Sequence, residues 1–128
     1  MALAKPAPVK VVDNQTISAS SSYTDATGSD LSTTISLAIG YEMTFNASAT
    51  EGATIEVYAD PDSASQTFTV GTYHDPTDSF DVDVDAGNKA EGMIQVNCAA
   101  KYVKIRVVNN DGSQSITGCS VWVQKQTA

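Results

Sequence analysis

Tyr102-Val103-Lys104-Ile105-Arg106-Val107-Val108, followed by Asn109-Asn110-Asp111-Gly112 and then by Ile116 to Gln124, is the stretch whose reading decides the fold. Val103, Ile105 and Val107 alternate with Tyr102, Lys104 and Arg106, the period of two of a strand with one buried and one wet face. Cys119, Val121 and Val123 alternate more loosely with Ser120, Trp122 and Gln124. With a polar Asn-Asn-Asp-Gly segment between them, the two runs predict a β-hairpin.

The rest of the chain is punctuated in the same way. Val9 to Val12 reads as a short strand that Gln15 to Ser20 continues after a polar interruption at Asp13-Asn14, and residues 20–30 have loop composition. Leu31 to Ile39 and Tyr41 to Ser48 read as two strands with Gly40 as the break. Ile55, Val57 and Ala59 alternate with Thr54, Glu56 and Tyr58; Asp60-Pro61-Asp62-Ser63 is a turn; Thr67 to Val70 is a short strand. Phe80 to Asp85 alternates strictly, and Glu91 to Val96 precedes the closing pair. No stretch keeps a helical period, so the expected fold is all-β: a single jelly-roll-like sandwich of eight to nine antiparallel strands over residues 9–128. Residues 1–8 read as an extended arm, because Pro6 and Pro8 block a helix.

Composition agrees. The chain has 128 residues, enough for a packed core without metal or disulfide staples. Ser, Thr, Ala, Val and Asp dominate, and Leu occurs only at positions 3, 31 and 37, a bias toward strand and turn. The net charge of −8 argues against nucleic acid, which needs clustered Lys and Arg, and against an anionic membrane surface. The N-terminus lacks the apolar core of a signal peptide, which leads to an expectation of synthesis and retention in a cytoplasm, or release by lysis.

Three groups are candidates for chemistry. Asp81, Asp83 and Asp85 fall on one strand face about 6.5–7 Å apart, an arrangement suited to Ca²⁺ with further ligands from a loop such as 75–78, or to a plain solvated face. The EF-hand pattern fails, since Ala86 stands where the loop needs Gly and Gly92 where it needs Glu. His74 is the single histidine, and no Gly-x-Ser-x-Gly elbow or neighbouring serine makes it catalytic. Cys98 and Cys119 read as buried thiols or a disulfide, not as a zinc site. Trp122, Tyr102, Tyr58, Tyr41 and Tyr23 are open to three roles: core, protein interface or sugar platform. In the expected hairpin Tyr102, Lys104, Arg106 and Trp122 share one face, the candidate contact surface, with Pro6 and Pro8 of the arm as further interface candidates. No cofactor is expected.

The order of segments also carries a resemblance. Ile35 to Gly40, Tyr41 to Ala49, Ala53 to Asp60, then Ala100-Lys101-Tyr102-Val103-Lys104-Ile105-Arg106-Val107-Val108-Asn109-Asn110 and Ser115 to Gln124 resemble the small β-sandwich virion proteins of tailed bacteriophages. The resemblance spans residues 9–125 and is one of style, from which the Asp81/Asp83/Asp85 face and the Cys98/Cys119 pair depart. It implies no catalytic residues. It implies a structural role, foremost a head decoration (cement) protein made in the host cytoplasm and carried on the capsid exterior, bound to the major capsid protein and self-associating, with a trimer favoured. A carbohydrate- or cell-surface-binding module is the competing expectation.

Overall fold

The computed structural model describes residues 7–25, 29–31, 34–60, 76, 78–96 and 102–127. These form β1 (Val9–Ile17), β2 (Ser22–Thr24), β3 (Ser29–Asp30), β4 (Thr34–Phe45), β5 (Ala53–Asp60), β6 (Asp78–Val82), β7 (Lys89–Val96), β8 (Tyr102–Asn109) and β9 (Ile116–Thr127). One antiparallel sheet has the order β1-β9-β4-β7; the other runs β2-β8-β5-β6, with β3 also pairing β8. The fold is the expected all-β sandwich, and this strand order, crossing repeatedly from sheet to sheet, is that of a jelly roll.

The core lies between the sheets. Leu37, Ile39, Met43 and Phe45 of β4 and Cys119, Val121 and Val123 of β9 meet Ala53, Ile55 and Val57 of β5 and Val103, Ile105 and Val107 of β8, all buried. Each buried aliphatic side chain contributes about 1.5–3 kcal/mol by leaving water.

The closing hairpin is not a hairpin. β8 and β9 have the expected extents, but β8 pairs with β2, β3 and β5 while β9 pairs with β1 and β4. The physical reason is in the alternation itself. Two strands with one apolar face each bury those faces against one another when they sit in opposing sheets. The polar segment between them is a corner. Asn109 Nδ2 donates to the carbonyls of Ile17, Ser18 and Gln114 at 3.1, 3.3 and 2.8 Å, tying the end of β8 to the loop after β1 and to the approach to β9.

The break expected at Gly40 is continuous strand, and the strand does continue across Asp13-Asn14. β4 runs straight through Gly40, which pairs with Trp122 on one side and Met93 on the other. β1 runs through Asp13-Asn14 with irregular register against β9. Asn14 (φ 49°) and Gly118 (φ 57°) occupy the left-handed region at this kink, and the Asn14 N–H donates to Ser120 Oγ at 2.9 Å. Asn tolerates that region and Gly has no penalty there. Gly118→Ala therefore lowers unfolding free energy by about 1 kcal/mol in urea titration, whereas Asn14→Gly changes it by only a few tenths. The predicted strand at Thr67–Val70 and the turn at 60–63 fall wholly or largely outside the described residues.

Candidate functional site

The sandwich splits the candidate contact surface in two. Tyr102, Lys104 and Arg106 are half-buried on the outer side of β8, and Trp122 is half-buried on the outer side of β9 in the other sheet. The expectation that they share a face fails because it depended on the hairpin. Pro8 is exposed beside Trp122. Pro6 and most of the arm lie outside the described residues.

On the outer side of β5 and β8, charged and polar groups hold one another. Arg106 Nε lies 3.3 Å from Glu56 Oε1, an ion pair without an aligned hydrogen bond. The Tyr58 hydroxyl donates to the same Glu56 oxygen at 3.1 Å, and burial followed by Glu56 raises the Tyr58 pKa. Tyr102 donates to Asp30 Oδ2 at 3.3 Å, and burial together with that carboxylate raises its pKa too. Of the aromatic candidates, Tyr23 and Tyr41 pack against the core, and Tyr58 is buried outside it.

The other outer face is different in character. Strand register places Lys10, Trp122, Gly40 and Met93 in one row across β1, β9, β4 and β7. Met93 is 70% exposed, the largest exposure of any large apolar side chain among the described residues. Lys10 Nζ stands 5.0 Å from the centroid of the Trp122 ring, and Lys10 also pairs with Asp13 at 3.3 Å. A Cβ built on Gly40 lies 4.0 Å from Trp122 Cε3, so the indole edge rests beside a residue with no side chain of its own. The next row holds Gln124, Ala38 and Gln95; on the other side lie Ser120, Glu42 and Glu91, with Lys89 bridging Glu42 at 2.8 Å. Met93, Ala38 and Gln95 went unnoticed in the sequence. Met93 and Gln95 share a face by the alternation along β7, but only the β4–β7 register sets them beside Ala38 and Gly40 and so brings them to Trp122.

The acidic face is shorter than the pattern suggested. β6 ends at Val82, so Asp81 alone of the three lies in a strand, where it accepts from Thr54 Oγ1 at 3.1 Å. Among the described residues no three His, Cys, Asp or Glu side chains come together to hold a metal. His74 and Cys98 lie outside the described residues. Cys119 is a free buried thiol whose pKa is pushed up to about 12 by burial. No helix is long and apolar enough to cross a membrane among the described residues.

Solved structures share this architecture. A protein of the Bacillus endospore appendages, a family of disulfide-linked pili, matches with a TM-score of 0.52 and 12% identity over 98% of this chain and 89% of its own. The PBSX exported protein XepA matches with a TM-score of 0.57 and 19% identity over 95% of this chain; the chain spans only 37% of XepA. At these identities the shared property is the fold. No family model matches the sequence, and no curated protein matches it.

Proposed function

We propose that the protein is a non-enzymatic structural component of an extracellular or phage particle, and specifically a decoration protein on the outside of a tailed-phage head. The observation that carries this reading is the likeness to an appendage protein over 98% of the chain, which takes in both sheets. The similarity to an exported PBSX protein supports the same class. Two features of the molecule agree. Asp111, a buried carboxylate, is spent on accepting from the N–H groups of Thr50, Ser113 and Gln114 at a corner of the sandwich, and the polar groups of β5 and β8 are engaged with one another.

The face carrying Tyr102, Lys104 and Arg106 is the surface offered to the major capsid protein. Arg and Tyr are enriched at interfaces. Here Arg106 and Tyr102 are already positioned by Glu56 and Asp30, so contact immobilises less side-chain freedom. Small domains of this sort stabilise an assembly by mass action through buried interface. Purified protein is expected to co-sediment with tailed-phage heads stripped of their own decoration protein. Arg106→Ala weakens that binding by about tenfold or more, the scale of a lost interface anchor. A monomer that ignores the heads would sink the reading.

A further inference from the structure

We infer that the outer face of the β1-β9-β4-β7 sheet binds a neutral glycan, with Trp122 as its stacking platform. This goes beyond the decoration reading and does not depend on it. Two adjoining hollows of about 180 and 240 Å³ share Ala38, Met93 and Gln124. The larger is apolar, lined by Trp122, Pro8 and Gly40; the smaller is amide-rich, lined by Gln95 and Gln126. A pyranose has the same two-sided character: a C–H face that packs on an aromatic ring and a rim of hydroxyls that both donate and accept. An indole offers the first surface, and amide side chains, each with a donor and an acceptor side by side, match the second.

Charge and shape narrow the occupant. Among the described residues no carboxylate lines either hollow, and the cations beside them are already engaged: Lys125 donates to the Asp30 carbonyl at 2.7 Å and Lys10 pairs with Asp13 at 3.3 Å. On a protein of net charge −8 such a face admits a neutral polymer, whereas an acidic one is repelled. A stable protein contact buries about 800 Å² per partner. The apolar part here is a single row, bounded by Gln95 and Gln124 on one side and Glu42 on the other, which is narrow for a protein and suited to a chain of sugar rings. The Lys10 ammonium covers the indole at 5.0 Å, and the bound sugar takes its place.

Trp122 is the chain's single tryptophan, so its emission reports the site directly. Cellohexaose, maltohexaose, chitohexaose and mannohexaose are titrated into the full chain up to millimolar concentration. At least one is expected to give a saturable change in tryptophan emission, with affinity then measured by calorimetry. Trp122→Ala weakens that binding about tenfold or more, and Trp122→Phe, which keeps a stacking ring, by much less. Gln95→Ala weakens it several-fold, Lys10→Ala tightens it by uncovering the ring, and Arg106→Ala leaves it unchanged. The inference is overturned if none of the four sugars shifts the emission, or if binding survives Trp122→Ala. Loss of head binding or self-association in Trp122→Ala, without glycan binding in the parent, would assign the strip to a protein contact instead.

Discussion

Replacing Asp111 by Ala is expected to lower the melting temperature by about 10 °C or more, a loss on the scale of a broken buried network. Asp111 is 2% exposed, and its two carboxylate oxygens organise one end of the sandwich. Oδ2 accepts from the N–H groups of Thr50 and Glu51 at 2.9 and 3.3 Å, at the connection between β4 and β5. Oδ1 accepts from the N–H groups of Ser113 and Gln114 at 2.8 and 3.0 Å and from Ser113 Oγ at 3.1 Å, at the connection between β8 and β9. Its carbonyl accepts from the Ser20 N–H at 2.9 Å, so the loop between β1 and β2 joins the same knot. Alanine keeps the main-chain bond to Ser20 but leaves the Thr50, Glu51, Ser113 and Gln114 donors without this acceptor, and a part-buried donor left unmet costs more than a made bond contributes. Asn keeps one carbonyl oxygen and falls between.

The same bonds set a pH dependence. Backbone donors, that of Thr50 foremost, hold the Asp111 pKa well below its ordinary 3.8. The unfolded chain then binds the proton more tightly than the folded one. The contribution is fully present at neutral pH and is lost as pH falls from about 4 through the lower folded value. Thermal melts of the parent therefore decline on the acid side, and Asp111→Asn, which has no proton to take up, shows a flatter acid limb. Parallel acid limbs in the two proteins would remove Asp111 from this role.

Gly52→Ala is expected to cost about 3 kcal/mol, at the upper end for overpacking. A Cβ on Gly52 would run into the Val82 carbonyl oxygen and stand 3.1 Å from the Val84 nitrogen. Both are backbone atoms, so no side chain can swing aside. β5 and β6 must separate where Ala53 pairs with Val82, and the bond from the Asn110 N–H to the Gly52 carbonyl at 3.1 Å is strained with them. Gly112→Ala is the control: its nearest neighbour is Ser20 Oγ at 3.7 Å, and its stability is expected to match or slightly exceed the parent's. Denaturant midpoints of the two variants that coincided would contradict the close approach.

Period-two alternation made strands and core faces legible, because burial on one side leaves its mark residue by residue. The inward phase of Leu37, Ile39, Met43 and Phe45 passes unbroken across Gly40, so the continuity of β4 was also written there; weighting Gly as a breaker hid it. Pairing was not legible. Alternation says which side of a strand is wet but not which strand lies beside it, and adjacency in sequence made Tyr102 and Trp122 look like neighbours when a sandwich separates them. Asp111 looked like a turn residue for the same reason, while its partners at Thr50 and Glu51 lie about sixty positions away.

The place of β9 has a consequence for how the molecule comes into being. β9 sits between β1 and β4, so the first sheet is held together by the strand that comes latest among those described. In a chain made from its N-terminus, β1 leaves the ribosome with its partner more than a hundred residues away. Until that partner arrives, the inner edges of β1 and β4 are unpaired templates for other chains, and loop closure over such distances is slow. Nascent or truncated chains that stop before Ile116 are thus the species most prone to aggregate, and late chaperone engagement, rather than early, is what such a topology calls for.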